Sequence, residues 1–326
     1  MNAVISKLLE RDSFPVMPIM THPGIELIGR RVIDAVTDGQ VHSDAVLALR
    51  RTYSQSVAST TIMDLSVEAQ AFGADIVFED DSVPTVTGRM LCSAQDVEAI
   101  EVPPLDKGRL PEYLKAIRLS APELDVPLFG GCIGPFSLAG RLYDMTELMM
   151  AMYIEPETAH ALLRKCTDFL TEYAKAIKEA GASGVVMAEP AAGLLSDTDC
   201  MHYSSAYVKE IVDAVQDDGF AVILHNCGNQ GQCTDSMIAT GAAALHFGNA
   251  IDMAGVLDQV PADIAVMGNV DPVGIMKMGT AEQVREAVIN LKTIASGHRN
   301  FVLSTGCDVP PAAPEANIAA FYDAAE

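Results

Sequence analysis

The stretch "LHNCGNQ" (224–230) sets an imidazole and a thiol, His225 and Cys227, two residues apart at the end of an apolar run. A second apolar run ends in "LSTGCDVPP" (303–311), which carries Cys307. Two thiolates and one imidazole make a soft nitrogen–sulfur donor set suited to Zn²⁺. The His-x-Cys pair can reach one ion only if the chain turns there, and Asn226-Cys227-Gly228 supplies turn-prone residues. Cys307 lies 307 − 227 = 80 residues further on, too far for a local zinc-finger loop. Structural zinc sites usually close with paired short spacings, whereas ligands from distant strands mark catalytic sites and leave a position for water or substrate. Spacing alone also admits a plainer reading, in which these are buried thiols and a core histidine.

Elements must exist that bring distant residues to one place. Apolar runs rich in Val, Ile and Phe recur at 15–20, 75–78, 127–131, 184–188, 220–224, 243–247, 264–268 and 300–304. They do not alternate with polar residues, as expected of strands buried on both faces of a parallel sheet. Helical patterns separate them, among them 156–180, 204–217 and 281–296. Eight strands alternating with helices point to an α/β fold, a (β/α)8 TIM barrel with an N-terminal helical extension. The whole chain, 1–326, is expected to form this one barrel domain, with 22–70 as a helical cap over one mouth. Chemistry in such barrels sits at the strand C-termini. Those ends carry His22, Cys132, Glu189, His225 with Cys227, Asn269 and Cys307, while His246 lies within the sixth run.

Composition narrows the class. Hydrophobic residues make up 49% of 326, enough for a substantial core, and the net charge of −23 argues against nucleic acid and anionic lipid as partners. The start, "MNAVISKLLERDSF", lacks a signal-peptide pattern, and no apolar stretch approaches the ~20 residues of a membrane span. A soluble, cytoplasmic protein is expected. Its seven cysteines, an odd number, then read as thiols or metal ligands rather than bridges.

The flanks of the donor residues carry a resemblance. "HNCGN", "GNVDP" (268–272), "LSTGCDVPPAAPEANI" (303–318), "GGCIGPFSLAGRLYD" (130–144) and "MAEPAAGLLSD" (187–197) are similar to the uroporphyrinogen decarboxylase superfamily. More narrowly, His-x-Cys with a distant Gly-Cys-Asp resembles its zinc-dependent branch, the methylcobamide:coenzyme M methyltransferases. That resemblance implies His225, Cys227 and Cys307 as zinc ligands. It also implies methyl transfer from a methylated corrinoid to a small thiol, most simply coenzyme M. A Zn²⁺ held by two thiolates and a neutral imidazole carries no net charge. A thiol added there would ionise yet stay nucleophilic.

Two departures from the superfamily pattern bear on this. "MTHPGIELIGRR" stands where porphyrinogen decarboxylases carry a basic RQAGRY-type segment, which disfavours decarboxylation. "LHFGNAID" has no acid at 247–250, so the fourth ligand is left among His246, an acid elsewhere, and substrate or water. An Asp-x-His-x-x-Gly corrinoid signature is absent, so the methylcobamide is expected on a partner protein docking over 132–144, 190–203 and 308–314. The rival readings are a corrinoid methyltransferase with tetrahydrofolate, homocysteine or another acceptor or donor, a metal-free decarboxylase, and a non-enzymatic zinc-storing barrel.

Further candidates stand at or near the same strand ends. Glu189 either orients substrate or a zinc-bound water, hydrogen-bonds His225, or caps its loop. Asp308 is expected to bond backbone or a ligand residue. Asn269 and Asp271 contact substrate or form a turn. Cys233 is read as a packed thiol, and Glu79-Asp80-Asp81 as a solvated loop.

Overall fold

The computed structural model describes residues 1–10 and 14–326. Among the described residues nine strands form: β1 (Ser59–Thr60), β2 (Ile76–Val77), β3 (Thr85–Val86), β4 (Leu128–Ile133), β5 (Gly184–Ala188), β6 (Ala221–Asn226), β7 (Ala244–Phe247), β8 (Ala265–Val270) and β9 (Phe301–Thr305). Seven of them make one parallel sheet in the order β1-β4-β5-β6-β7-β8-β9. The run after Phe14 closes the ring. Met17 donates to the Leu303 carbonyl and Leu303 to that of Pro15 on one side, while Val57 donates to the Val16 carbonyl on the other, each at 2.9 Å. With that segment as the first strand the sheet becomes an eight-membered barrel. Helices such as Pro156–Glu179, Ala206–Val215 and Ala281–Ile294 make the crossovers where the sequence pattern places them.

One expected strand is wrong. Residues 75–78 are not in the ring: Ile76–Val77 pairs antiparallel with Thr85–Val86 in a separate ladder, and Val77 and Phe78 are exposed. The second ring strand is β1, in the run Ala58-Ser59-Thr60-Thr61, whose hydroxyls hide it from an apolar search. Thr60 and Thr61 are buried, and the Thr61 hydroxyl accepts from the Gly131 N–H at 2.8 Å. Residues 22–70 therefore enclose a ring strand, with helices His22–Leu27, Val32–Thr37 and Gly39–Thr52 before it and Val67–Phe72 after it. They do not form a cap that precedes the second strand.

The interior is a separate apolar cluster from the helix–sheet layer. Met17, Ile19, Phe129, Val186, Ile223, Met267 and Val302 fill it, with Ala221, Ala243, Ala244 and Ala265 keeping the strand N-termini slim. Into that space goes the helix Ala3–Leu9, whose Val4, Ile5 and Leu8 are buried in the same cluster. Asn2 caps the helix, accepting from the Val4 N–H at 2.9 Å and donating to the Asp217 carbonyl at 2.7 Å. The mouth at the strand N-termini is thus plugged. Among the described residues, no helix is long and apolar enough to cross a membrane.

Candidate metal centre

At the opposite mouth, β6 ends at Asn226 and hands the chain to a tight turn in which the Asn226 side chain accepts from the Gly228 N–H at 3.0 Å. That turn brings Cys227 back beside His225. β9 ends at Thr305, and Cys307 follows two residues later. One ligand atom from each of His225, Cys227 and Cys307 lies within 4.8 Å of the others. His225 is buried and the two cysteines are half-buried, so the group faces the mouth rather than bulk water.

Glycine makes room for the turn. A Cβ on Gly248, just past β7, would stand 2.5 Å from the Cys227 carbonyl oxygen and 2.7 Å from its Cα. No side chain fits there without moving the backbone that holds Cys227. The missing acid in "LHFGNAID" therefore has a steric counterpart at position 248.

The two thiols are neighbours in this group. Cys307 beside it lowers Cys227 to about 7, while neighbouring Cys227 and burial raise Cys307 to about 12 against the opposing effect of His225. Without metal, Cys307 thus keeps its proton through neutral pH, while Cys227 passes from thiol to thiolate near pH 7.

His225 uses one nitrogen only. Its Nδ1 lies 2.8 Å from Nδ1 of His246, whereas its Nε2 is buried without a hydrogen-bond partner. His246 has neither nitrogen to spare, because its Nε2 lies 2.9 Å from the Ser304 hydroxyl. It is therefore not placed as a fourth metal ligand. Burial, together with neighbouring His225, holds it well below the usual histidine range.

The other expected residues divide. Glu189 is buried beside the mouth but does not hydrogen-bond His225 through its side chain. It accepts from the Phe136 N–H at 2.7 Å, the Ser137 N–H at 3.0 Å and the Ser137 hydroxyl at 2.8 Å, pinning the N-terminus of helix Pro135–Tyr143. Burial raises it to about 7, and those three donors oppose the rise. Asn269 braces the loop after β7, donating to the carbonyls of Gly248 at 2.9 Å and Ile251 at 3.2 Å. Asp271 caps a turn by accepting from the Val273 and Gly274 N–H groups, the turn-forming reading. Asp308 faces His22 Nε2 at 3.5 Å, and burial raises its pKa well above the carboxylate range. The Cys233 thiol is packed against the carbonyls of Ala192 and Leu195 at 3.5 Å.

Sequence reasoning missed two members of this mouth. Glu68 is fully buried, with Oε1 accepting from the Ile133 N–H at 3.0 Å and Oε2 unpartnered, and burial pushes it to about 8. Ser304 lies on the inner face of β9. For Ser304 the available signal was a polar residue closing the apolar run Phe301-Val302-Leu303.

Comparison with known proteins agrees with the resemblance. The profile of the family "Uroporphyrinogen decarboxylase (URO-D)" matches residues 8–326, and the chain belongs to that family. It is 31% identical over 268 residues to the methylcobamide:CoM methyltransferase MtbA of Methanosarcina acetivorans, covering 81% of this chain and 77% of that protein. It is 30% identical over 270 residues to the uroporphyrinogen decarboxylase of Vibrio vulnificus, covering 78% and 75%. The solved structure of a methyltransferase from Methanosarcina mazei superimposes with a TM-score of 0.89 at 24% identity. That overlay covers 99% of this chain and 97% of the other, a likeness of fold.

Proposed function

We propose that the chain is a methyltransferase that moves a methyl group from a methylated corrinoid, carried by a separate protein, to a small thiol, coenzyme M being the simplest acceptor. The observation that carries this is the convergence of His225, Cys227 and Cys307 at the mouth formed by the strand C-termini. It is joined by relatedness to two methylcobamide:CoM methyltransferases. The donor set fits Zn²⁺, with an unpartnered imidazole nitrogen and a thiol pair already half-ionised. When bound, zinc supplies a Lewis acid that lets an acceptor thiol ionise at neutral pH and stay in place as a nucleophile.

The chain's residues set the conditions for that chemistry. Cys227 and Cys307 contribute two negative charges once deprotonated, and His225 contributes none, so the protein's share balances a dication. A methylated corrinoid would supply an electrophilic methyl group, and the acceptor sulfur would form the C–S bond as the Co–C bond broke, the bonding pair staying with cobalt. Such a displacement needs the reacting atoms about 3–3.5 Å apart and in line. The donor must therefore reach the mouth, and with no Asp-x-His-x-x-Gly segment in the chain we assign the corrinoid to a partner.

The test is turnover by zinc-loaded protein with free methylcobalamin and a panel of thiols and folates, following cobalt absorbance. Demethylation with a thiol, lost in Cys307→Ala, is expected. Inertness toward every thiol, with methylcobalamin and with methylated corrinoid protein alike, rejects the reading.

A further inference from the structure

The interior of the barrel holds a line of hydrogen bonds that ends at the candidate metal ligand. From β9, the Ser304 hydroxyl lies 2.6 Å from the Met17 carbonyl oxygen. It also lies 2.9 Å from Nε2 of His246 on β7, whose Nδ1 is 2.8 Å from Nδ1 of His225 on β6. All three side chains are buried. The strand register makes the line possible, since His225 and His246 are paired neighbours across β6 and β7, each two residues beyond a member of the interior cluster, Ile223 and Ala244.

Proton counting along this line leaves one arrangement. A carbonyl oxygen only accepts, so the Ser304 proton is spent on Met17. Turning that proton toward His246 instead would leave two oxygens 2.6 Å apart with nothing between them. The hydroxyl must then accept from His246, which puts a proton on His246 Nε2. A second proton on His246 would bury a cation that no carboxylate contacts, at a large desolvation cost. Its Nδ1 is therefore a lone pair, and the contact to His225 requires a proton on His225 Nδ1. What remains on His225 is Nε2, the buried atom that has no partner in the protein.

We infer that Ser304 and His246 are positioning residues that fix His225 as the Nδ1–H tautomer, so that its Nε2 meets Cys227 and Cys307 as a bare lone pair. The tautomer belongs to the metal-free chain. Its use, to present a nitrogen donor without first losing a proton, rests on the metal-site reading given above. A histidine's ligating nitrogen is set by the bond its other nitrogen makes, and such outer partners are worth about 10–100-fold in metal affinity.

The experiment is a two-bond ¹H–¹⁵N spectrum of metal-free protein with ¹⁵N-labelled histidine at about pH 8. It reads which nitrogen of each ring carries the proton. His225 is expected with its proton on Nδ1 and His246 with its proton on Nε2. In Ser304→Ala the His246 proton loses its acceptor, so both rings should swap tautomer, and zinc affinity by chelator competition should fall about 10–100-fold. Ser304→Thr should restore both. A wild-type His225 protonated on Nε2, or Ser304→Ala with unchanged tautomers, overturns the inference, and the wild-type spectrum decides even where the variant does not fold. Expected tautomers in a chain that takes up no zinc would keep the relay and reject the metal reading. Zinc-dependent transfer with the opposite tautomers would do the reverse.

Discussion

At the mouth formed by the strand N-termini, Val4, Ile5 and Leu8 of the first helix lie among alanines and large aliphatic side chains. At the mouth formed by the strand C-termini, the same ring of strands buries His22, Glu68, Glu189, His225, His246, Ser304 and Asn269. The first mouth is closed by transfer of apolar surface from water, which needs only shape and hydrophobicity. The second retains buried polar atoms without protein partners, including His22 Nδ1, Glu68 Oε2, His225 Nε2 and Asp308 Oδ1. Leaving such groups unpaired costs about 1–3 kcal/mol each. Among the described residues, a ring that tolerates this at one end and avoids it at the other separates the part that stabilises from the part that carries the candidate site. That division can be broken or sharpened by experiment.

The largest effect should come from the mouth that holds the candidate metal ligands. Cys307→Ala removes a donor from the triad, so zinc affinity should fall by more than the ~100-fold upper range of outer-partner changes. Methyl transfer should become undetectable. The half-exposed thiol supports little packing, so the metal-free fold should lose about 1 kcal/mol or less. Chelator competition and urea unfolding measure the two. A variant that loses stability and zinc together would erase the contrast between the mouths.

The plug should answer in the opposite way. Leu8 is 1% exposed, so Leu8→Ala leaves a cavity in the barrel interior and should destabilise the metal-free chain by about 2–5 kcal/mol. Zinc stoichiometry of the fraction that remains folded should stay at the wild-type value. Urea unfolding and metal analysis on the same sample check both halves. A stable Leu8→Ala protein would mean that the helix rests on the mouth without filling it.

These two mouths were unequally legible in the sequence. The donors His225, Cys227 and Cys307 stood out because each breaks an apolar run at its end, and the barrel rule sends such ends to one face. Seven of the eight ring strands were legible for the same reason. β1 was not, since Ser59 and Thr60 offer no apolar run, and the competing run at 75–78 belongs to an outer ladder whose apolar side chains lie partly in solvent. Glu189 was legible as a site neighbour but not as the clamp on Phe136 and Ser137, because that role depends on where a helix 53 residues away begins. The line from Ser304 through His246 to His225 was beyond reach. It exists only once the registers of β6, β7 and β9 are fixed, and no local pattern states them.

A third, graded effect is the pH dependence of zinc uptake. Ligation needs both sulfurs as thiolates. Below about 7 both Cys227 and Cys307 carry protons, so the pair must expel two. Between about 7 and about 12 only Cys307 does, so the pair expels one. Apparent affinity should therefore rise with pH everywhere in that range, with the thiol contribution to the logarithmic slope falling from about two to about one near pH 7. Chelator competition across about pH 6 to 9 measures it. The Leu8→Ala protein should show the same break, because Leu8 packs among apolar side chains and not against the thiols. A slope of two persisting above pH 8 would mean that Cys227 is not lowered to about 7.

The smallest effect is expected on the rim around the candidate site. Leu194 ends the short turn Pro190–Leu194 that follows Glu189, and it is 62% exposed. Its neighbour Gly193 packs so closely on the turn beside Cys227 that a Cβ there would stand 2.2 Å from the Gly228 carbonyl carbon. Leu194 therefore rides on the backbone that walls the candidate centre while its side chain faces outward. On the proposed function, a corrinoid-bearing protein has to settle over this rim, and free methylcobalamin does not. Leu194→Asp adds a charge to a surface already carrying −23 overall and removes an apolar contact. The loss to a protein donor should be about 1–2 kcal/mol, or roughly 5–30-fold in kcat/KM. Transfer from free methylcobalamin should change less than about twofold, and zinc content not at all. Measuring both donors on one preparation separates the possibilities. Equal losses would mean that Leu194 shapes the centre through Gly193 and Gly228, and unchanged rates with both donors would move the docking surface to 132–144 or 308–314.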